Sequence, residues 1–190
     1  LQRNPAFKKR LDDDYRSRAL AGHLRCVPLF STLPEAFLDS LRDRVELVTI
    51  DPFTQDKKKN FAWDAGKSLI FREGDAADAL YVIRIGFVKV SRDMPGGEMV
   101  LSYLGRGDWF GEMSILDVQP RSATVRVLAP SRLLRISAAD LDALYRYDTK
   151  AYAIIVLNIA RELSRRLRVA DGLLADFVIN VMGHYIDRRR

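Results

Sequence analysis

Apolar positions change their spacing along the chain. Residues 5–26 place Phe7, Leu11, Tyr15, Leu20 and Leu24 at roughly helical intervals, which predicts a helix. Leu33-Pro34-Glu35 opens a second helix, with proline near its first turn, where the missing N–H is no loss. Phe37, Leu38 and Leu41 supply its apolar face. From Val45 onward the apolar residues come in short runs separated by turn formers, the signature of strands. Glu46–Ile50, Ser68–Phe71, a pair between Leu80 and Val90 meeting near Gly86, Glu98–Leu104, Ala123–Val127 and Leu133–Ile136 read this way. Met94-Pro95-Gly96-Gly97 and Gly105-Arg106-Gly107-Asp108 are turns in which glycine is free to take positive φ. Asp51–Ala65 interrupts the pattern and reads as a solvated loop carrying Lys57, Lys58 and Lys59. Strands at this spacing predict a closed roll or sandwich.

The helical period then returns. Ser137 caps a helix with Asp140 three residues on, and Leu141 and Leu144 face inward. Asp148 or Thr149 caps a last, long helix. Its apolar residues Val156, Ala160, Leu163, Leu167, Ala170, Leu174, Phe177 and Val181 are spaced 4-3-4-3-4-3-4, a coiled-coil seam. The seam predicts a parallel homodimer through residues 156–181; the plainer reading is an amphipathic helix packed on its own domain. Gly172 lies outside the seam and marks a candidate bend, costing roughly 1 kcal/mol against alanine. The predicted class is mixed α+β: an antiparallel, jelly-roll-like β-roll with N-terminal helices and a long C-terminal helix. Three segments follow: a helical lead over 1–26, the roll over 27–147 and the long helix over 148–190.

Length and composition agree with one such domain: 190 residues, 48% hydrophobic and 29% charged. Cys26 is the only cysteine, so no intrachain disulfide forms, as in a reducing compartment. The longest apolar run, Ala151 to Ala160, is too short to span a bilayer, and no signal peptide is visible. These features predict a cytoplasmic protein without membrane contact. The chain opens on Leu1 and ends on three arginines, as a fragment would. Its net charge of +6 is concentrated at the ends: residues 1–25 carry seven Lys/Arg and three Asp, and residues 161–190 carry seven Arg and four acids. Basic flanks of this kind read first as solvated helix faces and only secondarily as nucleic-acid contacts.

The candidate chemistry lies in the stretch from Phe110 to Val125. Gly111 lets the backbone approach a ligand closely, and a short helix after it presents free N–H groups to an anion. Arg121 lies beyond that helix, where its guanidinium can return to the same anion with paired hydrogen bonds. Glu112 would repel a phosphate unless it served a neighbouring donor, and a sugar hydroxyl is the natural one. Anion plus hydroxyl describes a ribose phosphate. A metal-dependent roll enzyme would need clustered histidines and carboxylates, whereas His23 and His184 lie at opposite ends. No nucleophile–base pair is spaced for catalysis either, so a non-enzymatic binding function is expected.

Gly111-Glu112 with Arg121-Ser122-Ala123 resembles the phosphate-binding cassette of the cyclic-nucleotide-binding domain family. Further likeness lies in Phe71-Arg72-Glu73-Gly74-Asp75, in Leu80–Ile83 with Gly86 and Val88, and in Glu98–Leu104, which looks like the catabolite-activator branch. The resemblance runs from about Val27 to Val181. It implies that Glu112 accepts the ribose 2′-hydroxyl. The backbone of Gly111 and Met113, with Arg121, Ser122 and Ala123, would hold the cyclic phosphate, and Ser102 would line the base. In the bacterial branch the long helix dimerises and contributes near the base; Arg166 falls where an arginine is expected. Ala170 and Asp171 replace a pair of hydroxyl residues that reach the adenine amino group. Asp171 can still accept from that group. Ser122 serves phosphate in the bacterial branch and favours guanine in some relatives, so cAMP is the expected ligand with cGMP as the alternative, and no metal. The implied function is a sensor module relaying occupancy through its C-terminal helix to an unknown effector. Two alternatives stand beside it. One is a transcription regulator shorn of its DNA-binding module, through which alone nucleic acid would be bound. The other is a degenerate roll in which Glu112 and Arg121 form a structural salt bridge. The lead from Asp14 to Phe30 looks like the entry segment of kinase regulatory subunits.

Overall fold

The protein is described by a computed structural model over residues 22–42, 44–55 and 61–187. Its elements are α1 (described over 22–26), α2 (Glu35–Arg42), β1 (Glu46–Ile50), β2 (Phe53–Gln55), β3 (Phe61–Trp63), β4 (Leu69–Phe71), β5 (Ala79–Ile85), β6 (Val88–Met94), β7 (Gly97–Leu104), β8 (Trp109–Phe110), α3 (Met113–Leu116), β9 (Thr124–Val127), β10 (Ser131–Ser137), α4 (Ala138–Tyr147) and α5 (Thr149–Asp187). Two four-stranded antiparallel sheets, β1-β10-β5-β8 and β4-β9-β6-β7, make the roll.

Strand β5 explains how the layers hold together. It reads Ala-Leu-Tyr-Val-Ile with no polar alternation because both of its faces are covered. Tyr81 and Ile83 point into the roll, with Phe71, Val88, Phe110, Val125, Val127 and Leu133. Leu80 and Val82 point the other way, into a helical layer formed by Leu24, Val27, Phe30, Phe37, Leu38, Leu41, Leu141, Leu144, Ile155 and Ile159. The period of two along the strand assigns each side chain to one core or the other.

The expected loop over Asp51–Ala65 is replaced by a hairpin. β2 pairs with β3 in the register Phe53↔Trp63, Thr54↔Ala62 and Gln55↔Phe61. Asp64 organises its exit, accepting from Thr54 Oγ1 at 3.0 Å and from the Gly66 N–H at 2.8 Å. Strands of three residues are too short to show a period in sequence, which is why the segment reads as loop. Lys57 to Lys59 lie outside the described residues, as do residues 5–21 of the predicted first helix. At the β6–β7 turn Met94 pairs with Gly97, and it is Gly97, with φ 126°, that takes the positive φ. The β5–β6 corner depends on Gly86, whose φ is 110° and whose absent Cβ would lie 2.0 Å from Ser131 Oγ and 2.8 Å from Ser131 Cα.

Ser137 and Asp140 form a full capping box at α4. Asp148, rather than Thr149, caps α5, accepting the Ala151 N–H at 3.0 Å. α5 is continuous through Gly172. Its first turns are anchored by Ala151, Ile155 and Ile159, and by Asn158, whose amide donates to Leu29 O at 3.0 Å and Thr32 Oγ1 at 3.1 Å. That anchoring stripe lies about a quarter turn round the helix from the predicted seam. Val156 and Leu163 of the seam are half-buried, whereas Ala160, Leu167, Ala170, Leu174 and Phe177 are exposed; the Val181 side chain lies outside the described residues. Own-domain packing and the seam therefore use adjoining faces of one helix, with Leu163 packing on the core and Ala170 on the cavity side.

Gly86→Ala is expected to destabilise the fold by about 3 kcal/mol, because it combines a forbidden φ with a clash against backbone. Urea unfolding measures this; an unchanged midpoint would show that the corner relaxes freely.

Candidate functional site

β8 leaves its sheet at Gly111, with φ 84°. A Cβ there would meet an Arg121 guanidinium nitrogen at 2.7 Å and Ala79 O at 3.2 Å. Only glycine lets chain and guanidinium come this close. The next element, α3, is a single turn, so its dipole is small and positive potential in the cavity comes from guanidinium groups rather than from a helix end.

Arg121 is 3% exposed. Its Nη1 donates to Gly111 O at 3.0 Å, and its Nη2 donates to Ala79 O at 2.7 Å and to Asp78 Oδ1 at 3.4 Å. The guanidinium carbon sits 4.1 Å from the centre of the Phe71 ring, a cation–π contact. Its backbone is pinned on both sides to the Arg72–Asp75 turn, with the Gly74 N–H donating to Arg121 O at 2.8 Å and the Arg121 N–H to Asp75 O at 2.9 Å. This is why Phe71-Arg72-Glu73-Gly74-Asp75 and the distant arginine belong to one motif. Burial draws the Arg121 pKa down, and Tyr81 and Asp78 oppose that shift; arginine stays cationic regardless. The buried Nε has no acceptor among the described residues.

Glu112 is 2% exposed. It does not pair with Arg121: the structural salt bridge considered for a degenerate roll is absent among the described residues, because each group is engaged elsewhere. Glu112 Oε1 accepts from Arg166 Nη1 at 3.0 Å. Arg166 reaches over from α5 and also donates to Trp109 O at 3.0 Å. Burial raises the Glu112 pKa, with Arg166 the main opposing influence.

These groups line a cavity of about 490 Å³, within the range of small-ligand sites. Gly111, Glu112, Met113, Arg121, Ser122 and Ala123 form one wall; Phe71, Val90, Leu101, Ser102, Leu104 and Val125 come from the roll. α5 closes it with Glu162, Arg165, Arg166, Val169, Ala170 and Leu173. Eight of the nine residues expected from the sequence thus surround one space. Asp171 does not: one residue past Ala170 is about 100° further round the helix, and it faces solvent. It cannot serve the cavity of its own chain. Sequence reasoning missed Glu162, Arg165, Val169 and Leu173, although with Arg166 they share one helical face at i, i+3 and i+4 spacing. It also missed Phe71 beneath Arg121 and the Asp78 contact, which no local spacing reveals.

A closed roll with a glycine cradle, a buried arginine and a buried carboxylate defines a small-anion binding domain. Comparison with known proteins gives the family. Residues 65–148 match the cyclic nucleotide-binding domain. Over 103 residues the chain is 41% identical to the cyclic AMP receptor protein of Thermus thermophilus, covering 54% of this chain and 46% of that protein. Over 98 residues it is 35% identical to the cAMP-dependent protein kinase type II regulatory subunit of Drosophila melanogaster, covering 52% of this chain and 25% of that protein. The crystal structure of the Thermus thermophilus catabolite activator protein superposes with a TM-score of 0.64 at 31% identity, covering 80% of this chain and 63% of that one. Residues 65–148 thus form a cyclic nucleotide-binding domain, and the chain is similar in sequence to these receptors and kinase regulatory subunits. Such a domain is a regulatory unit and not an enzyme. The chain spans about half or less of the length of these curated relatives.

The raised Glu112 pKa has a consequence for stability. A carboxyl whose folded pKa exceeds its unfolded one favours the fold below the unfolded value and loses that contribution as pH rises through the folded value. Above its folded value, the ligand-free Glu112 is therefore a cost to the fold. Glu112→Gln, whose amide oxygen still accepts from Arg166, is expected to melt on the order of 3 °C higher than wild type at pH 7, with the gap closing in acid. A lower melting temperature at pH 7 would mean that the ion pair outweighs the burial.

Proposed function

We propose that the chain is a cAMP sensor that relays occupancy through α5. The cyclic phosphate sits against Arg121, the Gly111 and Met113 backbone, Ser122 and Ala123. The ribose 2′-hydroxyl donates to Glu112. The base lies between Ser102 on the roll and the α5 wall around Ala170, with Arg166 beside it. The observation that carries this reading is the buried Arg121 guanidinium, whose Nε has no acceptor among the described residues while Glu112 stands on the same cavity wall. A buried donor without a partner calls for one, and a phosphate oxygen supplies it. Relatives with cAMP in their names favour adenine over guanine, so cGMP is the weaker ligand.

The roll over 27–147 is the sensing unit, the segment 148–190 the relay and 1–26 a lead. The relay needs the ligand to prefer one arrangement of α5, since a ligand shifts an equilibrium only by its differential affinity. The exposed seam of α5 pairs with a second copy of the chain. A transcription regulator shorn of its DNA-binding module is the second reading, in line with the likeness to the catabolite activator protein. We place the protein in the cytoplasm; among the described residues no helix is long and apolar enough to cross a membrane.

Calorimetric titration of cAMP and cGMP tests the ligand. Arg121→Ala would strip two carbonyls of their donor and risk the fold, so Arg121→Lys is the better variant: it keeps charge and loses the planar fork. cAMP is expected to bind wild type saturably and Arg121→Lys at least about 30-fold more weakly, equivalent to about 2 kcal/mol. Absence of heat and of any thermal shift with either nucleotide would mark a roll that has lost its ligand.

Sedimentation equilibrium tests the seam. Wild type is expected to sediment as a dimer and the double variant Leu167→Glu, Leu174→Glu as a monomer. A wild-type monomer would sink the homodimer.

A further inference from the structure

Arg166 joins the cavity carboxylate to the long helix, and its placement depends on a residue with no role so far. Its Nη1 is on Glu112 and its Nη2 on Trp109 O, both at 3.0 Å. The remaining donor, Nε, goes to Glu162 Oε1 at 3.3 Å, one turn back along α5. Glu162 is itself fixed: its Oε2 accepts from Arg165 Nη1 at 2.9 Å. A guanidinium is a rigid planar fork, so an acceptor on Nε sets the direction in which the two terminal nitrogens point. The Arg166 side chain is 36% exposed. An arginine that open to water has many rotamers available unless something holds it. Arg165, Glu162, Arg166 and Glu112 thus form a row of alternating charge running from solvent to the buried end of the cavity.

We infer that Glu162 is a positioning residue: it holds Arg166 against Glu112 and so keeps the cavity carboxylate ionised and ready to accept a ligand hydroxyl. Its functional consequence rests on the nucleotide reading above; its structural part does not. The charged groups acting on Glu112 are Arg166 and Glu162 from α5 and Arg121 from the segment between α3 and β9. Two effects of Glu162 on Glu112 oppose each other. Its own negative charge disfavours a second anion nearby, while its hold on Arg166 favours one. Removing the side chain and neutralising it therefore give different outcomes.

The test is a ¹³C-carboxyl NMR titration of Glu112 in the ligand-free full chain. Alanine is the strongest helix former, so Glu162→Ala leaves α5 intact. This variant releases Arg166, and the Glu112 midpoint is expected to rise by about half a unit or more. Glu162→Gln keeps an acceptor for Arg166 Nε and loses the charge, so its midpoint is expected to fall. Equal downward shifts in both variants would show that Glu162 acts only as a neighbouring charge and would overturn the inference, as would no shift in either. Titration with cAMP at pH 7 reads the consequence: affinity is expected to fall about fivefold in Glu162→Ala, with a larger loss in acid. Wild-type affinity in that variant throughout the acid range would overturn the role in binding. If wild type itself fails to bind cAMP, the proposed ligand is wrong and the NMR titration still decides the role of Glu162.

Discussion

The buried guanidinium of Arg121 is the constraint on which the site is built. It satisfies the carbonyls of Gly111 and Ala79, lies over Phe71, and takes its backbone partners from the Gly74–Asp75 turn. Three separate stretches of chain, at 71–75, 78–79 and 111, are thereby registered on one arginine. Such a group is tolerated inside a protein only when its donors are used; here both terminal nitrogens find acceptors and Nε has none among the described residues. The glycine at position 111 follows from the same constraint, since a side chain there would occupy the space of the guanidinium.

Electrostatic balance in the cavity is deliberately incomplete. Arg121 and Glu112 stand on one wall yet take their partners from different elements: Asp78 from the roll and Arg166 from α5. A direct pair between them would satisfy both and leave nothing for a ligand. Separating them keeps a cationic and an anionic position open side by side, which suits a molecule with a phosphate next to a hydroxyl. Desolvation of Glu112 is the standing cost of that arrangement.

Much of this was legible in the sequence for physical reasons. The capping box at Ser137 and Asp140, the glycine turns and the apolar faces of α2 and α4 are local signals, and they fold as they read. Cassette spacing brought six of the expected residues to one cavity, which Ser102 of β7 and Arg166 of α5 join. What was not legible depends on geometry that accumulates along the chain. The β2–β3 hairpin is too short to show a period. The direction of Asp171 is set by helical phase relative to a wall whose place is known only once the roll has formed. The Arg121–Asp78 contact spans 43 residues, and no short window contains it. The α5 seam was visible, but the second stripe through Ile155, Ile159, Glu162 and Arg166 is masked by it, because both lie on one helix a quarter turn apart.

Between α4 and α5 a single residue, Asp148, leaves the helical conformation, with φ −144° and ψ 84°. It accepts from the Ala151 N–H, and its own N–H donates to Leu144 O, so both helix ends close on it. Any change in the angle between these helices is concentrated in that residue's two torsions. α5 is 39 residues long, about 58 Å at the rise of an α-helix. Moving as a rigid rod, it would shift its far end by about 1 Å for each degree turned at Asp148. Arg166 lies about 27 Å along that rod, so a displacement of α5 at the cavity would be roughly doubled at residue 187.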